Sequence, residues 1–366
     1  MPLAQLTETK PLKALPTIAF AALITATKLL TVAALSPAAA IEISGAGATS
    51  PYPIFSKWAD AYQKETGIVV NYYQIGSAAG IRHIRNDIVT FGASDMPLKL
   101  DQLDKDGLIQ FPIVVGGTVA VVNLEGIKSG EVKLDGATLA KIFLGQVKTW
   151  NDPAIAKLNP NAKLPSQPIV VIHRWDDSGT TFVWTNYLSK VSREWASKVG
   201  ENTSVQWPTG IGANGHEGVV NTVQSTKGAI GYVEYSYAEQ SKLATVSMIN
   251  KDGYTVGPSS MAFEAAAANS AWNREDGFYI IPTDQHGAAS WPITRATFIL
   301  LHKQPQDPIA VFEALKFFAW AYAEGGKIAE EIGYVPLPKN LVSEIEKVWA
   351  SKIKDASGKP LYALAP

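Results

Sequence analysis

Gly45-Ala46-Gly47-Ala48-Thr49-Ser50-Pro51 runs directly into Ile54-Phe55-Ser56-Lys57-Trp58. Small residues give way to two hydroxyls. Pro51 and Pro53 then suit the first turn of a helix, where an amide proton has no intrahelical partner anyway. The stretch reads as a strand end, a short turn and a helix entry. Gly76-Ser77-Ala78-Ala79-Gly80 before Ile81-Arg82-His83-Ile84 repeats the arrangement, and so does Asp177-Ser178-Gly179-Thr180-Thr181 before Phe182-Val183-Trp184. A helix N-terminus offers unpaired N–H groups and the positive end of a dipole. Small residues let an anion reach them, and a hydroxyl adds a donor. One such entry is usually no more than an N-cap. Three in one chain point to a convergent oxyanion site.

Outward from these entries, apolar strand-like runs alternate with amphipathic helical patterns. Strands are expected at Ile68–Tyr73, Ile113–Asn123, Ile169–His173, Ala229–Glu234 and Ala296–His302. Helices are expected at Ile54–Lys64, Ile81–Asn86, Leu134–Phe143, Thr181–Lys190, Gly218–Gln224, Pro308–Tyr322 and Leu341–Lys352. In the Pro308 segment, Val311, Phe312, Leu315, Phe318 and Ala319 fall on one face. Such alternation implies an α/β fold with helices on both faces of each sheet. A length of 366 residues suggests two domains. No flexible linker is visible, so two lobes sharing several short crossings fit better than two beads on a string.

Composition narrows the function. Lys+Arg of 32 against Asp+Glu of 33 gives a formal net charge of -1, without the basic excess of a general nucleic-acid binder. Cysteine is absent, which excludes disulfides, thiolate metal sites, cysteine nucleophiles and thioether lipid anchors. Lys10 and Lys13 precede an apolar stretch from Ile18 to Leu35, and Ser36-Pro37-Ala38-Ala39-Ala40 follows. That pattern predicts a secretory signal peptide over residues 1–40, cleaved near Ala40. Lys28 and Pro37 interrupt what would otherwise resemble a membrane span. An exported chain without a lipid anchor fits a periplasm. The ten tryptophans are read as core or hinge packing.

Two further groups accompany the helix entries. Asp95, in Phe91-Gly92-Ala93-Ser94-Asp95-Met96-Pro97, would repel an anion unless the anion carries a proton to donate. Phosphate at neutral pH carries one and sulfate does not. An uncompensated buried charge costs several kcal/mol, so a carboxylate placed here would discriminate between the two. Arg174, in Val171-Ile172-His173-Arg174-Trp175-Asp176, ends a strand just before the third entry. Its fork can hold two anion oxygens while Asp176 holds it in place.

Gly45–Thr49, Gly92–Asp95 and Asp177–Thr180 with Arg174 resemble the PstS family of periplasmic phosphate-binding proteins from phosphate-uptake ABC transporters. The resemblance continues through Phe55–Gly67, Phe111–Gly117, Ala156–Gln167 and Gly228–Tyr235, and spans Ile43 to Tyr362. It implies the two-lobed type II periplasmic binding protein fold, with a hinge and a ligand cleft. Residues 41–115 with 293–366 would form lobe I, and 116–292 lobe II. Carried over, Thr49 would donate by hydroxyl and amide, Ser50 by amide, and Ser77, Ser178, Gly179 and Thr180 from the later entries. Arg174 would be the single positive partner, held by Asp176, and Asp95 would accept the phosphate proton. The implied partners are inorganic phosphate and the membrane permease subunits, with no nucleic acid, no metal and no cofactor, in a monomer. Ser50 stands where the family usually has phenylalanine, and Asp177 where glycine is common.

The rival readings are enzymes, or a binder of another tetrahedral oxyanion. Gly210-Ile211-Gly212-Ala213-Asn214-Gly215 matches a dinucleotide fingerprint, with Glu234 further on. Pro208 immediately precedes it, and Ser204–Trp207 is short for the strand such a motif needs. A secreted phosphatase finds no GxSxG elbow, no P-loop and no zinc helix after His216-Glu217. The five histidines, His83, His173, His216, His286 and His302, lack ligand spacing and read as structural or exposed.

Overall fold

The structure is a computed structural model that describes residues 42–363. The signal-peptide reading of residues 1–40 lies outside the described residues. Eight strands build the main sheet: β1 (Glu42–Gly47), β2 (Val69–Gln74), β3 (Phe91–Ser94), β4 (Leu108–Val122), β5 (Val170–Arg174), β6 (Ile211–Ala213), β7 (Ala229–Glu234) and β8 (Thr294–His302). Their order is β2-β1-β3-β8-β4-β7-β5-β6, and a ninth short strand, Ala244–Thr245, also pairs with β4. At one end β1, β2 and β3 run parallel; at the other β5, β6 and β7 do. The antiparallel strands β8 and β4 lie between the two parallel sets.

The alternation predicts an α/β fold with helices on both faces of each sheet, and the fold is mixed α/β. The main sheet runs as one continuous path through β4, a strand of 15 residues that is buried throughout. Its partner changes part-way: Leu108 to Gly117 pair with β8, and Thr118 to Val122 with β7. The expectation of a strand beginning at Ile113 misses its first five residues because they include Gln110 and Pro112. Both are accommodated. The Gln110 amide exchanges bonds of 2.8 Å with the backbone of Leu98. The register skips Ile113 opposite Thr297 and Phe298, so a β-bulge sits beside the proline that cannot donate to the ladder.

Four helices position the site: α1 (Tyr52–Thr66), α2 (Ser77–Arg85), α3 (Gly179–Val191) and α4 (Gly215–Ser225). In α1, Ile54, Phe55, Trp58 and Tyr62 are buried, and Gly67 ends the helix in the left-handed region with its amide on Gln63 O. Ser178 caps α3 by accepting from the Thr181 amide. The expected helix Leu134–Phe143 starts two residues late. Leu134 belongs to a short strand, Lys133–Asp135, and Asp135 caps the helix that begins at Gly136. A competent N-cap in the middle of the run overrides its apolar periodicity.

Six tryptophans, at 58, 150, 184, 195, 291 and 349, are among the largest fully buried side chains. Trp175 departs from the packing role expected of all ten, being 64% exposed. Among the described residues no helix is long and apolar enough to cross a membrane.

Gly80 sets how closely α2 can lie on the sheet. A Cβ there would fall 2.5 Å from Gly47 Cα and 2.7 Å from Ala46 O, both backbone atoms that cannot swing aside. Gly80→Ala is therefore expected to destabilise the fold by about 1–3 kcal/mol, the usual cost of overpacking. Urea unfolding should show a lower midpoint at unchanged slope; an unchanged midpoint would mean that α2 is free to retreat.

Candidate functional site

Each expected site residue lies just beyond the carboxyl end of a parallel strand, where open α/β sheets place their ligands. Thr49 and Ser50 follow β1, Ser77 opens α2 after β2, and Asp95 follows β3. Arg174 ends β5, and Asp176, Ser178, Gly179 and Thr180 lead into α3. These segments touch. A Cβ on Gly179 would lie 2.1 Å from Ser77 Oγ and 2.9 Å from Asp95 Cβ, so α3 approaches α2 and β3 only because that position is glycine. Arg174 Nη2 donates to Thr49 Oγ1 at 3.3 Å. The mouth is a cavity of about 470 Å³ lined by residues including Thr49, Asp176, Asn214 and Glu217. A larger cavity, about 870 Å³, lies elsewhere beside Met261, Trp272 and Leu337; its carboxylates Glu264, Glu330 and Glu344 are not buried, and no site residue lines it.

Asp95 is 2% exposed and held by donors on both oxygens. Ser50 Oγ donates to Oδ2 at 2.5 Å, and Thr297 Oγ1 donates to Oδ1 at 2.7 Å. The Thr297 hydroxyl is committed to that direction, because its oxygen accepts from Arg295 Nη1 at 2.8 Å. Arg295 Nη1 also lies 3.4 Å from Asp95 Oδ1. The Ser50 hydroxyl, which replaces an aromatic ring in the resembled pattern, is thus bound to the carboxylate, and its amide is left for a ligand.

The other hydroxyls are arranged the opposite way. Ser77 Oγ accepts from the Asp95 amide at 3.1 Å, Thr49 Oγ1 from Arg174, and Ser178 Oγ from the Thr181 amide at 3.2 Å. Each oxygen is occupied from the protein side, so each hydroxyl hydrogen is free for an outside acceptor. Gly179 and Thr180 open α3, and their amides have no intrahelical acceptor. The Ser178 amide is already taken by Thr203 O at 2.9 Å.

Arg174 is 1% exposed. Its Nε donates to Asp176 Oδ1 at 2.6 Å, and its Nη2 pairs with Asp176 Oδ2. Burial pushes the Asp176 carboxyl up, but the bonds and charge of Arg174 and the amide of Gly215 outweigh it and leave the pKa lowered. Arg174 Nη1 is buried and has no partner among the described residues. A guanidinium N–H orphaned in this way is costly unless a ligand takes it.

Sequence reasoning missed four residues. Arg295 and Glu234 are fully buried and paired, Nε to Oε2 at 2.6 Å. Glu234 and Asp95 raise the Arg295 pKa against the cost of burial. The expected single positive partner, Arg174, is therefore joined by a second buried guanidinium that reaches Asp95 rather than Asp176. Arg295 stands one residue before the expected strand Ala296–His302; an arginine at the head of so apolar a run was the available signal. Thr297 lies inside that run, where nothing in the sequence sets it apart from its neighbours. The fourth, His216, is fully buried, with Nε2 3.3 Å from Thr180 Oγ1; it had been read with the other histidines, on ligand spacing alone. Asp177 is balanced by Arg82 at 3.2 Å on the surface. The glycine fingerprint forms β6 itself and the start of α4, where a dinucleotide site needs the strand to come first. Among the described residues no cluster of His, Asp and Glu could hold a metal.

Residues 32–324 match the model of a PBP superfamily domain. The chain is 51% identical over 320 residues to the phosphate-binding protein PstS of Pasteurella multocida, covering 87% of this chain and 93% of that one. The chain belongs to the PstS family. The Haemophilus influenzae member is 50% identical, with 89% and 98% covered. A solved structure described as a human phosphate-binding apolipoprotein shares the fold at TM-score 0.69 and 19% identity, covering 88% of this chain and 99% of that one. The PstS relatives thus share the fold-setting sequence over nearly their whole length.

Two outcomes are expected of this site. Gly179→Ala should weaken ligand binding by at least about tenfold, since the added methyl would separate Ser77 and Asp95 from α3; roughly 1.4 kcal/mol of strain suffices for that loss. Calorimetric titration checks it, and unchanged affinity would mean the segments can part freely. The second is a pH effect. Burial, with the charges of Arg174 and Arg295, holds His216 far below the usual imidazole range. The unfolded ring gains a proton near pH 6.5 and the folded ring does not, so His216 lowers stability as pH falls below that value. Burial pushes Glu234 up to about 7, with Arg295 limiting the rise, so its contribution falls as pH rises from 4.5 through 7. The two slopes offset in the native chain. In His216→Gln only the second remains, so its stability relative to the native protein should rise as pH falls from 6.5, by up to about 1.4 kcal/mol per pH unit. Urea unfolding at several pH values reads this, and a flat difference would contradict a neutral buried ring.

Proposed function

We propose that this protein binds inorganic phosphate in the periplasm and delivers it to the membrane permease of an ABC transporter. The observation that carries the reading is the orphaned Nη1 of buried Arg174, beside hydroxyls whose oxygens are already occupied and the carboxylate of Asp95. Hydrogen phosphate presents acceptor oxygens to the donors and one proton to the carboxylate. Sulfate would leave Asp95 facing an oxyanion with no hydrogen between them. The names of the PstS relatives support the same ligand.

In this reading residues 1–40 are an export signal cleaved near Ala40. Residues 41–115 with 293–366 act as lobe I and 116–292 as lobe II, hinged where β4 changes partner between Gly117 and Thr118. Thr49, Ser50, Ser77, Ser178, Gly179 and Thr180 donate to phosphate, Arg174 pairs with it, Asp176 orients Arg174, and Asp95 takes the proton. The lobes close over phosphate by hinge motion and present the closed form to the permease. The protein acts as a monomeric carrier and performs no chemistry on its ligand.

Calorimetry on ligand-stripped protein tests the reading. Phosphate is expected to bind at micromolar affinity or tighter, about -8 kcal/mol or more, and sulfate at least roughly 100-fold more weakly. Equal affinities would overturn it. Arg174→Ala should cost about 30-fold or more, roughly 2 kcal/mol, because it also leaves Asp176 unpaired; a loss within twofold would remove Arg174 as a direct partner. Asp95→Asn should weaken the rejection of sulfate, and unchanged selectivity would remove the role given to the carboxylate.

A further inference from the structure

His216 belongs to the turn that opens α4, outside the three helix entries, yet its ring reaches the site. Nε2 lies 3.3 Å from Thr180 Oγ1. On the far side of the ring, Nδ1 lies 3.3 Å from the amide nitrogen of Glu234. A backbone N–H can only donate, so Nδ1 must be the bare nitrogen, and a neutral ring then carries its hydrogen on Nε2. The ring cannot rotate to evade this. It is fully buried and stacks on Tyr237, with centroids 4.5 Å apart and planes 26° from parallel. Nor does its surrounding favour a second proton: burial and the charges of Arg174 and Arg295 oppose it.

We propose that His216 is a positioning residue for the anion site: its Nε2–H donates to Thr180 Oγ1 and forces the Thr180 hydroxyl to point its own hydrogen at the bound oxyanion. Among the described residues the Thr180 side chain has no other hydrogen-bond partner, and Thr180 is fully buried. With the imidazole donating, the hydroxyl cannot turn its hydrogen toward the ring, so it presents a hydrogen to the pocket whether or not ligand is there. The orientation is set before the ligand arrives, which lowers the ordering cost of binding. With the ring reversed, the same hydroxyl could donate to a bare Nε2 and face the anion with a lone pair. The proposal deepens the phosphate reading and rests on it for the identity of the anion.

The first measurement is nitrogen-15 NMR of the His216 ring in the full, ligand-stripped protein. The expected signature is a protonated Nε2 and an unprotonated Nδ1, unchanged across about pH 5.5 to 8 and the same after phosphate is added. A hydrogen on Nδ1, or a ring that titrates in that window, overturns the proposal. This readout does not depend on which oxyanion binds, so it can fail while the phosphate reading stands, and the reverse. The second is a double-variant cycle read by phosphate titration. His216→Phe keeps the ring's bulk and removes both nitrogens, and Thr180→Val removes the hydroxyl. Each is expected to weaken phosphate about tenfold, and the double variant should bind no more weakly than Thr180→Val alone. Multiplying losses would show that His216 acts other than through Thr180 and would overturn the proposal.

Discussion

Asp95 is a carboxylate buried among groups that mostly donate, and the surrounding structure is arranged to tolerate it. Three acids, Asp95, Asp176 and Glu234, meet two guanidiniums, Arg174 and Arg295. A buried ion without a partner costs several kcal/mol, so none of the four buried ones, Asp95, Glu234, Arg174 and Arg295, could be placed alone. Asp176 takes one edge of Arg174, and Glu234 takes Nε of Arg295. Asp95 is left with the outlying contact of Arg295 and with two hydroxyls, a weaker hold than a bidentate pair. That is the balance an acceptor needs if it is still to take a hydrogen from a ligand.

The same logic orders the hydroxyls. A serine or threonine can point its hydrogen either way, and a pocket of undirected hydroxyls would have to be ordered by each arriving ligand. Here Thr49, Ser77 and Ser178 each accept from a group that can only donate: a guanidinium, a strand-end amide and a first-turn helix amide. Helix starts and strand ends are therefore more than sources of free N–H groups. They set the polarity of the hydroxyls beside them. Gly179 lets these pieces meet, and its missing side chain matters as much as any donor present.

The contributions of one chain segment at a time were legible in the sequence. Short hydroxyl-rich turns before apolar helices pointed to Thr49, Ser77 and Thr180, and Arg174 was visible because it ends an apolar strand two residues from an acid. What depends on pairing between distant segments was not legible. Thr297 and Arg295 reach Asp95 from about 200 residues away in the chain, through the antiparallel pairing of β8 with β3, which periodicity does not reveal. The continuous sheet was hidden for a related reason: β4 serves two halves at once, and its buried Gln110 and Pro112 disguise the first of them. His216 is missed because a lone histidine without ligand spacing reads only as structural or exposed, and nothing local shows which groups its two nitrogens meet.

That histidine also bears on what the Thr180 hydroxyl can do. A threonine hydroxyl within reach of an imidazole, in a site built for an oxyanion, is the arrangement of a nucleophile and its base. A base must present a bare nitrogen to the hydroxyl. The Glu234 amide claims the bare nitrogen of His216, so the nitrogen facing Thr180 already carries a hydrogen. Burial and two neighbouring guanidiniums then oppose the second proton that deprotonating Thr180 would place on the ring. The pair is thus wired to strengthen Thr180 as a donor and to prevent it from becoming a nucleophile. A hydrogen on Nδ1 would exchange the first behaviour for the second, and the Glu234 amide, a donor fixed in the backbone at the end of β7, stands against it.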